Sequence, residues 1–157
     1  MRNFLFIVTL IIGGCSAGDK PADLPKLYPC EVTVMQDNLP LAEAAVEFIP
    51  VNSANAKYRA GSVTDKNGNV SMTTYGFQGV PIGKYKVVIS KDVLDDLEYA
   101  DNHSTGQKEI VRFKKYQTVD PKYSSAETTP HEIEITGKEK KQQYIFDTGK
   151  TIKILIP

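Results

Sequence analysis

The chain has no tryptophan, only two histidines and two cysteines, and no net charge: 19 Lys+Arg stand against 19 Asp+Glu in 157 residues. Each shortage removes a class of function. A chain without excess charge has no basic face with which to meet nucleic acid. His103 and His131 sit in no metal-ligand spacing, and Cys30 is far from both, so a zinc site lacks a donor set. There is no Gly-x-Ser-x-Gly elbow, and no phosphate loop or dinucleotide fingerprint. No internal repeat suggests a solenoid or propeller. The longest apolar run, Phe4 to Ile12, is broken only by Thr9 and is about 9 residues long, too short to cross a hydrocarbon core of about 30 Å. These absences argue against an enzyme and against a bound cofactor.

What is present begins at the N-terminus. Arg2 gives a short positive start, and the apolar run follows it in the order of a signal peptide. Ile12-Gly13-Gly14-Cys15 resembles a lipobox, the signal of bacterial lipoproteins. The resemblance implies cleavage between Gly14 and Cys15, a diacylglycerol on the Cys15 sulfur, and an acylated new N-terminus. On this reading residues 1–14 are a signal peptide and residues 15–26 a lipidated, flexible tether, polar and punctuated by Gly18, Pro21 and Pro25. Two or more acyl chains hold stably where one does not. The expected partner is therefore a membrane, reached from outside the cytosol, at the outer membrane or the periplasmic face of the envelope. Cys30 is left without an intrachain disulfide partner and is expected as a small buried hydrophobe.

From Tyr28 onward the pattern has period two, the mark of half-buried strands. Cys30, Val32 and Val34 alternate with Glu31, Thr33 and Met35. Ala44, Val46 and Phe48 share one side of a second strand, and Tyr58 to Thr64 makes a third. Asp65-Lys66-Asn67-Gly68 reads as a hairpin turn, with Val70 to Tyr75 returning. Tyr85, Val87 and Ile89 line one face of Lys84 to Ser90. His131 to Thr136 and Gln142 to Asp147 are two more strands, joined as a hairpin through Gly137 to Lys141. Residues 91–118 break the rhythm, and Ile110, Val111 and Phe113 there read as a strand or a helix turn. Asp92 to Ala100 reads as a short helix with Val93, Leu94 and Leu97 on its apolar side. Lys150 to Pro157 is a further strand or a tail. About seven strands and no long amphipathic helix indicate an all-β sandwich over residues 27–157, with a short helical or irregular insert near 91–118.

Three stretches in order resemble transthyretin-like, carboxypeptidase-regulatory-like domains. They are Val32-Thr33-Val34 with Asn38-Leu39-Pro40-Leu41 and Val46-Glu47-Phe48, then Thr64-Asp65-Lys66-Asn67-Gly68, then Pro81-Ile82-Gly83-Lys84-Tyr85-Lys86-Val87. Pro121-Lys122-Tyr123 and Tyr144-Ile145-Phe146-Asp147 are similar to the close of bacterial lipoproteins that carry this domain alone. The family's turn glycine is Asn38 here. The resemblance implies a prealbumin-like antiparallel sandwich and no catalysis: a structural or binding module for an envelope protein or a glycan.

One cluster invites a different reading. Asp92, Asp95, Asp96, Glu98 and Asp101 offer the hard oxygen ligands that calcium prefers. If they form a site, Asp95, Asp96 and Asp101 converge. The spacing lacks the glycine turn of an EF-hand loop, and a solvated face accounts for the cluster with less. A calcium-binding periplasmic protein, or an accessory subunit of an exported enzyme, is the alternative to the non-catalytic module.

Overall fold

The structure, a computed structural model, describes residues 20–52, 56–102 and 104–157. Gly14 and Cys15 lie outside the described residues. Among those described, thirteen strands form three sheets, and the one helical turn singled out is a 3₁₀ turn at Pro121–Tyr123.

The smaller sheet of the sandwich is built on β1 (Cys30–Gln36). Its neighbours are β2 (Leu39–Pro40), β5 (Asn69–Ser71) and β12 (Gln142–Asp147). The first two pair with β1 antiparallel, whereas β12 runs parallel to it from Cys30↔Gln142 to Met35↔Asp147. The turn from β1 to β2 has two central residues, Asp37 at φ 51° and Asn38 at φ 62°. A two-residue hairpin needs such angles, and Asp and Asn tolerate them.

The larger sheet has β3 (Ala45–Pro50), β4 (Ala60–Val63), β6 (Thr73–Thr74), β7 (Phe77–Gln78), β8 (Gly83–Ser90) and β11 (Glu132–Ile135). Its order is β11-β8-β3-β4-β6-β7. Each of the seven strands read from the alternation has a counterpart in these two sheets.

The core lies between the sheets and follows the alternation. Val32, Val34, Val46, Phe48, Val87 and Ile89 are at most 1 % exposed, and Cys30 is buried among them. Fully burying one such side chain stabilises by about 1.5–3 kcal/mol. Burial pushes the Cys30 thiol up to about 12, with the Glu31 charge adding to it, so the sulfur stays protonated and unreactive. Tyr85 is buried too, its hydroxyl donating to the Pro81 carbonyl at 2.9 Å, and burial also lifts its phenol to about 12.

Two expected hairpins are not hairpins. Asp65–Gly68 does turn: the Gly68 N–H donates to the Asp65 carbonyl, and the Asp65 carboxylate accepts from the amides of Asn67 and Asn69. Yet β4 stays in the larger sheet while β5 joins the smaller one, because the Gly68 carbonyl accepts from the Val34 amide at 2.8 Å. The chain changes sheets there. A side chain at Gly68, where φ is +72°, would meet the Val34 carbonyl at 2.6 Å. Gly137 to Lys141 also changes sheets, with β11 pairing β8 and β12 pairing β1.

The insert expected as helical or irregular near 91–118 is neither. It is two ten-residue strands, β9 (Asp92–Asp101) and β10 (Lys108–Gln117), joined in the third sheet by β13 (Ile154–Ile156).

Candidate interaction site

The two ends of the sandwich differ. At one end, Tyr28 and Val80 exchange both backbone hydrogen bonds at 2.9 Å just before β1 begins. The incoming segment is fastened there: Asp23 pairs with Lys57, and its carbonyl accepts from the Tyr58 hydroxyl at 2.7 Å. At the other end, where β1 finishes, the Gln36 amide donates to the Thr118 carbonyl at 2.9 Å. Thr118 in turn donates to Lys91. Here β9 and β10 leave the sandwich as a ribbon. β1 is about 23 Å long at 3.3 Å per residue, and β10 about 33 Å.

The final residues tie ribbon to sandwich. Asp37 accepts from the amide and hydroxyl of Thr151, the Ile152 amide donates to the Thr118 carbonyl, and β13 pairs with β10.

The pairing of β9 with β10 places Val93 opposite Tyr116, Asp95 opposite Lys114, Glu98 opposite Arg112 and Tyr99 opposite Ile110. Two register shifts interrupt it, and Asp96, at φ 52°, occupies one. A bulge of this kind lets neighbouring residues point the same way. Asp95 and Asp96 accordingly both lie on a charged face. Lys153 donates to Asp95 at 2.5 Å, and Asp96 accepts from the Tyr116 hydroxyl at 2.6 Å and from Lys114 at 3.0 Å. Arg112 pairs with Glu98 at 3.3 Å, and the Lys153 ammonium stands 4.3 Å from the centre of the Tyr116 ring.

The bonds set the local acidities. Lys153 holds Asp95 below the usual carboxylate range, and Tyr116, then Lys114, do the same for Asp96. Asp96 in return raises both Tyr116 and Lys114.

The opposite face is apolar. Alternation from the same register puts Leu94, Leu97, Tyr99, Ile110, Phe113 and Ile154 on it, and these are 38–56 % exposed. At its base Asp92 pairs with Lys115 at 2.8 Å, and at its tip Asp101 lies opposite Lys108. Scattered exposed apolar residues need no explanation, but a contiguous face marks a contact surface.

The three calcium candidates do not converge. Asp95 and Asp96 are committed to cations on the charged face, and Asp101 is at the tip on the other. Among the described residues, no group of three His, Cys, Asp or Glu side chains is positioned to hold a metal ion.

A shallow groove of about 740 Å³ crosses the outer face of the smaller sheet, lined by Glu31, Thr33, Asn69, Gln143 and Ile145 among others. Its polar groups answer one another: Thr33 donates to Asn69 at 2.7 Å, and Glu31 accepts from Lys141 at 2.6 Å. Such a surface offers a ligand little that is unspent.

His131 lies between two rings, stacked on Tyr123 at 5.1 Å and tilted against Phe146 at 4.9 Å. Burial lowers its basicity, and a hydrogen bond to the backbone of Asp147 offsets part of the effect. Its place is structural, between rings. His103 lies outside the described residues.

Sequence reasoning missed the ribbon, for a physical reason. The bulge at Asp96 puts Leu94 and Leu97 on one face three residues apart, which imitates helical spacing. The alternation of Arg112 and Lys114 with Phe113 was the signal available for a strand.

No protein-family model matches this chain, and no curated protein matches it in sequence. Among solved structures it is similar to the major pilin subunit of Bacillus cereus, at 15 % identity and TM-score 0.43, over 79 % of this chain and 30 % of that one. It is also similar to a 9R-lipoxygenase from Cyanothece PCC8801, at 16 % identity and TM-score 0.32, over 86 % of this chain and 18 % of that one. The chain thus spans under a third of the pilin and under a fifth of the lipoxygenase. Likenesses this distant transfer no function, and the all-β sandwich rests on its own sheets and core.

Proposed function

We propose that this protein is an exported lipoprotein, held to a membrane of the cell envelope through acyl chains on Cys15, whose transthyretin-like sandwich is a non-catalytic binding module. One observation carries the reading: the chain from the lipobox reaches the sandwich at one end, and the apolar ribbon leaves from the other. Fully drawn out, Cys15 to Leu24 spans about 30 Å at most. With the anchor beneath one end, the sandwich stands between the bilayer and the ribbon, which meets molecules beyond the membrane surface.

The anchor is tested by growing cells with an alkyne-tagged fatty acid. The chain is expected to take up the label, and Cys15→Ser to lose it and to leave the membrane fraction. An unlabelled polypeptide still beginning at Met1 would end the lipoprotein reading.

A further inference from the structure

We propose that the apolar face of the ribbon is the contact between two copies of this chain, packed face to face with their ribbons parallel. This names the partner of the module proposed above and rests on that reading only for the shared membrane.

Three observations support it. The first is area. Leu94, Leu97, Tyr99, Ile110, Phe113 and Ile154 together expose on the order of 600 Å² per copy, so two copies packed flush can bury up to about 1,200 Å², above the roughly 1,000 Å² that a specific interface needs. The second is charge. The chain is neutral as a whole, so copies do not repel one another at a distance. A two-fold axis along the ribbons sets β9 of one copy over β10 of the other. Asp101 at each tip then faces the other copy's Lys108, and Asp92 at each base lies near the other copy's Lys115. Antiparallel ribbons would instead set β9 over β9 and bring Asp101 over Asp92, like over like. The third is the placement of the anchor. Only the parallel arrangement leaves both sandwiches on the same side, where one bilayer can hold both tethers. Confinement to that surface raises the effective concentration of each copy for the other.

The opposite face does not suit the role. Packing it against a second copy would strip water from three ion pairs, Asp95–Lys153, Asp96–Lys114 and Glu98–Arg112.

Cross-linking of the full chain in native membranes tests the contact. Phe113→Cys lies near the proposed axis, is solvent-exposed in one copy, and therefore does not disturb the core. A short bis-maleimide is expected to convert it to a covalent dimer of twice the mass. Arg112→Cys, on the charged face, is expected to give at least tenfold less, and the unsubstituted chain sets the background. Adding Leu97→Asp to Phe113→Cys should cut the dimer at least tenfold. Equal cross-linking from Arg112→Cys, no product from Phe113→Cys, or a product with the mass of a different protein would overturn the proposal. The two readings fail separately: a Phe113→Cys dimer on a chain that takes up no fatty-acid label would fault only the anchor, and a labelled chain that gives no dimer would fault only the contact.

Discussion

Val32, Val46 and Phe48 in the sandwich and Leu94, Ile110 and Phe113 in the ribbon are the same kinds of side chain on the same kind of backbone. The first three are at most 1 % exposed and the second three 51–56 %. The sandwich closes two sheets on each other, so every inward residue finds a neighbour across the gap. The ribbon is a single layer, with one face held by ion pairs and the other open. Strand propensity and hydrogen bonding therefore suffice to extend a sheet but not to bury it. Stability belongs to the sandwich, and the ribbon is the part free to be spent on contact.

The sharpest way to break that contrast is to truncate the same residue type in both places. Phe48→Ala is expected to cost about 3–5 kcal/mol in urea unfolding, the usual loss for a phenylalanine removed from a packed core. Phe113→Ala should stay within about 0.5 kcal/mol of the parent in the isolated chain. If the two losses were equal, the ribbon would be part of the folding core after all.

A smaller effect is expected inside the sandwich, at His131. His131 takes up its proton in the folded chain below its ordinary value, because burial between Tyr123 and Phe146 disfavours the cation. Above pH 6.5 the imidazole is neutral in both states and the stability is intact. As the pH falls below 6.5 the unfolded chain binds the proton first, so stability declines until the folded histidine also titrates. His131→Phe should flatten that decline in melting temperatures measured between pH 7 and pH 5. An unchanged slope would mean that the histidine is already solvated.

The smallest effect is expected on the ribbon's charged face. Asp96→Asn removes the negative charge that Tyr116 and Lys114 share. These groups are exposed, so the global melt should not move, since surface ion pairs contribute little. Amide exchange in β9 and β10 should quicken while that of β1 and β8 stays the same. In the parent chain, acid should do the same: the lowered carboxylates keep their pairs above their ordinary range and lose them as pH falls through the folded values.

The sandwich was legible because its strands are half-buried and alternate without interruption: Cys30-Val32-Val34 and Tyr85-Val87-Ile89 point inward as their spacing requires. The pairing of those strands was less so. Asp65–Gly68 has the composition of a hairpin turn, but the bond from the Val34 amide to the Gly68 carbonyl is a tertiary contact that local chemistry does not announce. The ribbon was hidden by its own bulge, which offsets Leu94 and Leu97 as a helix would, and by the absence of any burial to enforce alternation. The lipobox reading rests on the sequence alone, since Cys15 lies outside the described residues.

The parallel bond between β1 and β12 also governs time. Glu31 of the first core strand meets Gln143 of the last across 112 residues of chain. Until the last strand is made, β1 has an open edge and one of the smaller sheet's four strands is missing, so the native arrangement cannot close early. At usual rates of synthesis the chain spends roughly 6–20 s in that state. Contacts this distant in sequence also slow the search for the fold once all the strands exist. A polypeptide that must be threaded through a narrow passage before it hardens would gain from such a late latch.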